Sequence, residues 1–511
     1  MPDGLDSAVL ECEIEKLQCV SALRKQREVQ IDMVMVDRRG FLGGALALVG
    51  AGGCRSLGIV AEKPNLVFGV ISDVHVTTPE STGVFVRTLK YFRDRKVDAV
   101  MISGDLTDWG LKSSLRYLAD AWRSVFPDDR APDGRRVERI FCTGNHDYEG
   151  FRYSDMAFDM QVRGYSDDEA LSKQGMKKCW EDIFNEPFAA VRRRTVKGYD
   201  FISAEWSEGR PWNEAADEWF AQNGMTLDPK KPFFFFTHFP LGGTTSCSKP
   251  KAATVKALKS MPNAVAFSGH RHWTLNDERS IWQGEFTAIA VPSLSYSRMP
   301  NGYENGYDSR DGNPKASMQK IPSRARLEEA QGFLVSVFDD RMEIERRDFT
   351  YGVEAAPAWI VTPPTENNRP FAFGNRIKRS PVPQFPAGAS LKTRIANSED
   401  RNGCWAIMVM LDFPSAKAVK GRVYDYEVRV ETEDGTVPAV KRFLSPAFYK
   451  LERDEPAFQS FAFNAKDLPK AGKYRFRVYP RNCFGICGRP IESKVFESAP
   501  AKDRGPKKPK V

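Results

Sequence analysis

Five short apolar runs along the chain each end in residues that can bind a metal ion, and this pattern constrains the fold more than any other feature. The runs are residues 66–76 (LVFGVISDVHV), 99–108 (AVMISGDLTD), 140–147 (IFCTGNHD), 233–238 (FFFFTH) and 264–272 (AVAFSGHRH). Runs of this kind, rich in β-branched and aromatic residues, are typical of buried strands. Side chains two residues apart lie on the same face of an extended chain, so Asp73 and His75 can reach one cation. The sequence therefore predicts strands whose carboxyl ends carry metal ligands.

Seven residues at these strand ends are candidate metal ligands. They are Asp73, His75, Asp105, Asn145, His238, His270 and His272. The chain has only five histidines in 511 residues, and all five lie at these ends. Oxygen and imidazole donors without thiolate suit manganese, iron or zinc. Because seven donors are too many for one tetrahedral site, they predict two metal ions with one carboxylate bridging them.

His146 and Asp147 are the candidate catalytic residues beside these ligands. If Asn145 binds a metal, His146 is left off the metals, and Asp147 is expected to fix its tautomer and favour its charged form. A cationic imidazole next to two metals can stabilise or protonate the leaving oxygen of a substrate.

Residues 64–349 alternate strand-like runs with helix-like ones. Apolar residues at three- and four-residue spacing predict helices at residues 84–95, 113–125, 214–222 and 252–261. Such alternation indicates an α/β layered domain with its site at the carboxyl ends of strands. Two irregular stretches interrupt it. Residues 148–190 are either a cap over the site or a surface insertion, and residues 295–330 carry Tyr296, Arg298, Tyr303 and Tyr307.

Beyond residue 351 the sequence changes character. Prolines mark a linker, and short alternating runs at residues 405–412, 422–431, 458–463 and 473–479 then predict an all-β sandwich over residues 357–500. The run YRFRVYPRNCFGICGRP resembles the last strands of a fibronectin type III domain. Cys483 and Cys487 either pair or remain free thiols.

Composition excludes several classes of protein. A hydrophobic content of 41% and a charged content of 28% fit a soluble globular protein. The net charge of +8 is mild for this length, so no nucleic-acid binding is expected, and the basic tail at residues 501–511 is interpreted as disordered. Nine cysteines without a CxxC pair argue against a zinc ribbon or a disulfide-dense scaffold.

The N-terminal region predicts export. Residues 1–32 are interpreted as an extension that precedes the true start. Residues 33–57 contain Arg38-Arg39, an apolar segment and Cys54, and they resemble a twin-arginine signal peptide followed by a lipobox. We therefore expect a periplasmic or cell-surface protein, with membrane attachment through a lipidated Cys54. The alternative is a cytosolic protein with a chance apolar segment.

The motifs DxH, GDxxD, GNHD, a strand-end His and GHxH occur in that order and resemble the calcineurin-like metallophosphoesterase family. Within it, the chain is most similar to bacterial cyclic-nucleotide and glycerophosphodiester phosphodiesterases. The resemblance implies a two-sheet sandwich flanked by helices over residues 64–350, carrying a dinuclear metal centre. It implies that Asp73, His75 and His272 hold one metal, that Asn145, His238 and His270 hold the other, that Asp105 bridges, and that His146 with Asp147 forms an off-metal acid pair. Because GDLTD lacks the tyrosine ligand of purple acid phosphatases, a charge-transfer iron centre is not expected.

The resemblance implies a metal-dependent hydrolase of phosphodiester or phosphomonoester bonds, acting by attack of a metal-bridging hydroxide, with diesters favoured. The alternative is a cell-surface binding protein in which the C-terminal sandwich binds glycan or protein and the metal domain is secondary. A nucleotide, a phospholipid, a phosphosugar and a phosphoprotein all stay open as substrates.

Overall fold

The first described part of the chain folds into two mixed β-sheets with helices on their outer faces. The computed structural model describes residues 62–149, 170–206, 211–246, 248–298, 303–304, 330–366, 368–399, 405–468 and 472–498. In chain order the strands of these two sheets are β1 (Leu66–Ile71), β2 (Ala99–Ser103), β3 (Glu138–Cys142), β4 (Val191–Val196), β5 (Tyr199–Ala204), β6 (Phe233–Thr237), β7 (Ala264–Ser268), β8 (Ile281–Gln283), β9 (Thr287–Ala290), β10 (Gln331–Val337), β11 (Met342–Asp348) and β12 (Val353–Val361).

The parallel strands of each sheet lie next to one another. The first sheet has the order β12-β11-β10-β1-β2-β3, in which β1, β2 and β3 are parallel. The second has the order β4-β5-β6-β7-β9-β8, in which β5, β6, β7 and β9 are parallel. The parallel strands of each sheet therefore end at one edge of that sheet. Five of these parallel strands are followed by predicted metal ligands. The first sheet continues past residue 350, since β12 pairs with β11.

Three of the four helices predicted from the sequence are present in this part of the molecule. The described helices are α1 (Gly83–Asp94), α2 (Lys112–Val125), α3 (His146–Glu149), α4 (Leu171–Gln174), α5 (Met176–Phe184) and α6 (Trp212–Asn223). The helix predicted at residues 252–261 is wrong, because only a five-residue 3-10 helix, Lys256–Ser260, forms there. Gly242 donates a backbone hydrogen bond to the carbonyl of Ala253, which ties the start of this segment to another loop.

Alternate side chains of the buried strands face two different cores. In β6, Phe234 and Phe236 pack between the two sheets, whereas Phe233 and Phe235 pack under α6. This alternation follows from the two-residue period of a strand. Burying a phenylalanine contributes about 1.5–3 kcal/mol, so the FFFF run stabilises both layers. On the other side, α1, α2 and α5 cover the first sheet. The described part of the predicted cap is thus largely a helical layer.

The C-terminal part is an all-β sandwich, as predicted. Its strands are β13 (Lys392–Glu399), β14 (Trp405–Pro414), β15 (Asp425–Thr432), β16 (Ala439–Leu444), β17 (Phe458–Asn464), β18 (Gly472–Arg481), β19 (Ile491–Glu492) and β20 (Phe496–Ser498), with two short helices, α7 (Phe373–Arg379) and α8 (Pro446–Tyr449). One sheet contains β13, β14 and β17, and the other is built on β16-β15-β18-β19, with β20 paired to β18. Side chains from both sheets form a common core, in which Phe443 stacks on Phe461 with ring centroids 4.6 Å apart. The fibronectin type III resemblance stays a prediction.

Several predictions fall on residues that the structure leaves undescribed. The export signal with Arg38, Arg39 and Cys54, the basic tail and Tyr307 all lie outside the described residues. Cys483 and Cys487 are described, and both thiols are free. Among the described helices, none combines the length and the apolar character needed to cross a membrane.

Candidate metal centre

All seven candidate ligands come together where parallel strands of both sheets end. Asp73 and His75 follow β1, Asp105 follows β2, Asn145 follows β3, His238 follows β6, and His270 and His272 follow β7. Six of them are buried, and His270 is partly exposed. This placement matches the general rule that α/β sheets bind ligands outside the carboxyl ends of their strands.

The first group of ligand atoms comes from Asp73, His75, Asp105 and His272. One donor atom from each lies within 4.8 Å of the others. His272 Nε2 is 2.8 Å from Asp73 Oδ1 and 3.2 Å from His75 Nε2. Spacing of this kind leaves the donors converging on a common point, as a metal site requires.

The second group contains Asp105, His238 and His270, and Asn145 completes it. His238 Nε2 lies 3.1 Å from Asp105 Oδ2 and 3.1 Å from Asn145 Oδ1. His270 Nδ1 lies 3.0 Å from the same Asn145 oxygen. Asp105 is the member that both groups share. The structure therefore places the bridging candidate between two sets of donors.

Backbone strain is concentrated at these ligands. Five of the seven have a positive φ, namely Asp73 (51°), His75 (51°), Asp105 (50°), His270 (71°) and His272 (52°). Residues other than glycine rarely adopt this left-handed region, and each one costs about 1–3 kcal/mol. Such strain persists only where the surrounding structure enforces it, and it is typical of functional sites.

Gly104 and Gly269, which precede the candidate ligands Asp105 and His270, pack closely against candidate ligands of the other sheet. Gly104 has a φ of 92°, and a Cβ atom on it would lie 2.4 Å from Nδ1 of His238. A Cβ atom on Gly269 would lie 1.9 Å from Ser72 Oγ and 2.6 Å from Asp73 Oδ2. The GD and GH pairs of the sequence therefore reflect close packing of strand ends from different sheets.

Burial and opposite charge set the protonation of this cluster. Burial raises the pKa of Asp105, but the charge and hydrogen bond of His238 outweigh burial and leave that pKa well below its usual value. Burial lowers the pKa of His238, and Asp105 more than reverses this, raising the pKa to about 9. For His272, burial prevails over the attraction of Asp73 and lowers the pKa to about 4.

His146 lies beside the ligands with its ring turned to Asp108. Its Nδ1 is 2.8 Å from the Asp108 carbonyl oxygen and 3.2 Å from Asp108 Oδ1. Burial lowers the pKa of His146, but its hydrogen bond to Asp108 and the nearby acids raise it overall. The imidazole is 4.7 Å from that of His75, between ring centroids. His146 therefore lies next to the first group, and with His75 and Asp108 it forms a further set of donor atoms within 4.8 Å of one another.

The predicted pairing of Asp147 with the His146 ring is wrong. Asp147 Oδ1 accepts hydrogen bonds from the backbone N–H and the hydroxyl of Thr107, and Oδ2 accepts them from Leu106 N and Gly144 N. Burial and the charge of Asp105 raise the pKa of Asp147 to about 7, against these backbone donors. Asp147 holds the loops after β2 and β3, and Asp108 is the carboxylate beside His146.

Asp108 and Tyr296 also contact the ligands. Asp108 Oδ1 lies 2.8 Å from His75 Nδ1, so one carboxylate orients both His75 and His146. The second aspartate of GDLTD is the sequence signal that could have identified it. The ring of Tyr296 is 4.0 Å from that of His272 between centroids and tilted by 41°, and the Tyr296 carbonyl lies 3.0 Å from His272 Nδ1. Tyr296 is among the residues that the sequence analysis named in the irregular stretch 295–330.

With this geometry established, comparison with known families is informative. Residues 66–274 match the family model of calcineurin-like phosphoesterases. This match confirms the resemblance inferred from the motifs, and it contains all seven candidate ligands together with His146. We refer to residues 66–274 as the phosphoesterase region. A search of curated proteins finds no match to the chain.

Solved structures with detectable likeness are distant. A dimetal phosphatase from Danio rerio is 13% identical, with coverage of 59% of this chain and 99% of that one and a TM-score of 0.33. A purple acid phosphatase from yellow lupin is 14% identical, with coverage of 58% and 55% and a TM-score of 0.34. A sulfate thiohydrolase from Thermus thermophilus is 10% identical, with coverage of 88% and 92% and a TM-score of 0.28.

The donor set of the phosphoesterase region fits two metal ions. Its atoms are carboxylate and amide oxygens and imidazole nitrogens, which suit divalent metals of the manganese, iron and zinc kind. Asp73 and Asp105 are 0% and 1% exposed, and their ion-pair partners among the described residues are histidines. Buried carboxylates are normally paired or bound to metal. Metal ions bound here would add positive charge beside these acids.

Proposed function

We propose that the protein is a dinuclear metal-dependent phosphoesterase that favours phosphodiesters over phosphomonoesters. The position of Asp105 carries this proposal, because its carboxylate belongs to both groups of donor atoms. Asp73, His75 and His272 hold the first metal in this proposal, and Asn145, His238 and His270 hold the second.

Each part of the site has a distinct task. The two metals, when bound, supply Lewis acidity and an activated water for phosphoryl chemistry. Asp108 holds the ring of His146 through Nδ1. His146 donates its proton to the leaving oxygen, a contribution of typically about 10²–10⁴ in rate. Asp147 keeps the loops that carry these groups in place.

A direct screen tests this function. The manganese-loaded protein should hydrolyse bis-p-nitrophenyl phosphate with a higher kcat/KM than p-nitrophenyl phosphate. The Asp105→Asn variant is the matched control, since it keeps the shape of the side chain and loses the bridging charge. Failure of protein that holds two metals per chain to hydrolyse either ester would refute the function, and a preference for the monoester would refute the diester assignment alone.

We also propose that the protein is exported by the twin-arginine route and retained at a membrane through Cys54. The support is the order of Arg38-Arg39, the apolar segment and Cys54 in the sequence. The double variant Arg38→Lys, Arg39→Lys should stay unprocessed in the cytoplasm. Its normal export would refute the route, and an unmodified Cys54 in exported protein would refute the anchor.

A further inference from the structure

A cavity with aromatic and cationic walls adjoins the second group of metal-ligand candidates. We call it the aromatic cleft, and its principal lining residues are Trp206, Trp212, Phe239, Lys249, His270 and Arg271. Its volume is about 270 Å³. Pockets that enclose a drug-sized ligand have about 300–1,000 Å³, so the aromatic cleft suits a single planar ring system.

The aromatic cleft is built at the same edge as the metal centre. Trp206 lies two residues beyond the end of β5, Phe239 directly follows the candidate ligand His238, and Arg271 directly follows His270. The ring of Phe239 is 4.3 Å from that of His270 and 5.0 Å from that of Trp206, between centroids. A continuous series of rings thus leads from the candidate ligand His270 into the cleft.

The residue after β3, Thr143, holds the side chain of Glu205 and the backbone of Trp206 by two hydrogen bonds. Thr143 donates from its hydroxyl to the carbonyl of Trp206 at 3.0 Å, and its backbone N–H donates to Glu205 Oε2 at 2.8 Å. Glu205 is 1% exposed and also binds Arg192. The cleft wall is therefore preorganised, which lowers the cost of binding a ligand.

Two donor groups in the cleft walls lack partners among the described residues. They are Nε1 of Trp206 and Nε of Arg271, and both atoms are buried. A buried donor without a partner costs roughly 1–3 kcal/mol. Lys249 and Arg271 also make the cleft attractive to an anion.

The aromatic cleft and His146 contact opposite groups of the centre. His146 lies against His75, a member of the first group, whereas the cleft adjoins His270, a member of the second. If His146 serves the leaving oxygen, the cleft is placed to hold a substituent that stays on the phosphorus. A phosphomonoester has no such carbon substituent, and a phosphodiester has one.

We infer that the aromatic cleft binds the retained arm of a phosphodiester, and that this arm carries a planar aromatic group such as a nucleobase or an aryl ring. Trp206 and Phe239 stack on the ring, beside the positive charges of Lys249 and Arg271. This inference rests on the proposed phosphodiesterase function and names its substrate class. Stacking on aromatic side chains is commonly worth a ten- to hundredfold gain in affinity.

Phosphonates test binding separately from catalysis, because their carbon–phosphorus bond is not a hydrolysable ester. Titration calorimetry on manganese-loaded protein should show phenylphosphonate binding at least tenfold more tightly than methylphosphonate. The advantage should fall below threefold in Trp206→Ala and should survive in Trp206→Phe, which keeps an aromatic ring. Trp219→Ala is the matched control, a half-buried tryptophan outside the cleft, and it should change neither affinity.

Three esters that share one leaving group test the role of the aromatic cleft in catalysis. Bis-p-nitrophenyl phosphate, methyl p-nitrophenyl phosphate and p-nitrophenyl phosphate all release p-nitrophenolate and differ only in the retained substituent. Trp206→Ala should reduce kcat/KM for the first by about ten- to hundredfold and for the second by less than threefold.

The possible outcomes separate the two proposals. Equal binding of the two phosphonates by the wild-type protein, or equal losses for the two diesters in Trp206→Ala, would overturn the cleft assignment and leave the phosphoesterase function intact. The wild-type phosphonate comparison decides the matter even if a variant fails to fold. If the metal-loaded wild type hydrolyses none of the three esters, the phosphoesterase function itself fails.

Discussion

Asp105 in the phosphoesterase region and Asp425 in the C-terminal sandwich are equally inaccessible but have different partners. Asp105 is 1% exposed and Asp425 is 0% exposed. Asp425 is paired with Arg442 and lies 3.2 Å from Nε of Arg481, whereas Asp105 is paired with His75 and His238. The C-terminal sandwich thus supplies permanent positive charge to its buried acid from its own chain.

The comparison shows two different surroundings for a buried aspartate side chain. In the C-terminal sandwich, Arg442 donates hydrogen bonds to Oδ2 of Asp425 and Arg481 lies beside Oδ1, so that these contacts join strands β15, β16 and β18. In the phosphoesterase region, histidine side chains are the ion-pair partners of the carboxylates among the described residues, and the backbone at five ligands is strained. The two proposed metal ions would add positive charge to this arrangement, and backbone strain of this kind is typical of functional sites.

The largest expected effect is that of Asp105→Ala. Loss of the shared carboxylate should empty both metal sites and abolish phosphoesterase activity, because this oxygen pair serves both donor groups. Metal content by elemental analysis and activity on bis-p-nitrophenyl phosphate measure the outcome. A variant that kept both metals would show that Asp105 does not bridge.

His146→Ala should leave both metals in place and lower kcat by about 10²–10⁴, or about 3–5 kcal/mol of barrier. The loss should be full for an alkyl phosphate ester and smaller for a p-nitrophenyl ester, because p-nitrophenolate leaves without a proton. Equal losses for the two esters would exclude a role as general acid. Loss of metal would make His146 a ligand.

Asp425→Ala should act on stability rather than on the metals. Removal of one partner of a buried ion pair costs about 3–5 kcal/mol, and we expect roughly 3 kcal/mol here because Arg442 is 35% exposed. Urea unfolding measures the free energy change, and metal content should remain that of the wild type. If Asp425→Ala instead released metal, the contrast between the two acids would not hold.

The smallest expected effect concerns the contact between the two parts of the molecule. The Tyr303 hydroxyl accepts a hydrogen bond of 2.6 Å from Arg442, and Tyr303 packs on Tyr424. Tyr303→Phe should lower the free energy of unfolding by about 0.5–1.5 kcal/mol, with unchanged metal content. A large loss of activity would show that the C-terminal sandwich shapes the metal centre.

Much of the fold and the centre could be predicted, because both depend on local patterns. The FFFF run and its neighbours are recognisable as buried strands, and polar residues at their ends are visible without tertiary information. The order of parallel strands within each sheet then brings these ends together. The helix predicted at residues 252–261 shows that apolar spacing alone does not determine a helix. The carbonyl of Ala253 accepts a backbone hydrogen bond from Gly242, Pro262 follows the segment, and only one short 3-10 helix forms between them.

Contacts between distant segments were beyond the sequence. Asp147 adjoins His146 in the chain, but Asp108, 38 residues earlier, meets the imidazole because β2 and β3 are parallel neighbours. The aromatic cleft was also missed, since Trp206 and Phe239 look like ordinary core residues in the sequence. Both features depend on which strand ends meet, which residue spacing alone does not determine.

The metal content of the purified protein tests the central claim most directly. Elemental analysis of active protein prepared without chelator should give close to two metal ions per chain, because two groups of donors share Asp105. Removal of the metals with a chelator should abolish activity, and readdition of manganese should restore it. A reproducible content of one metal ion in fully active protein would contradict the dinuclear centre.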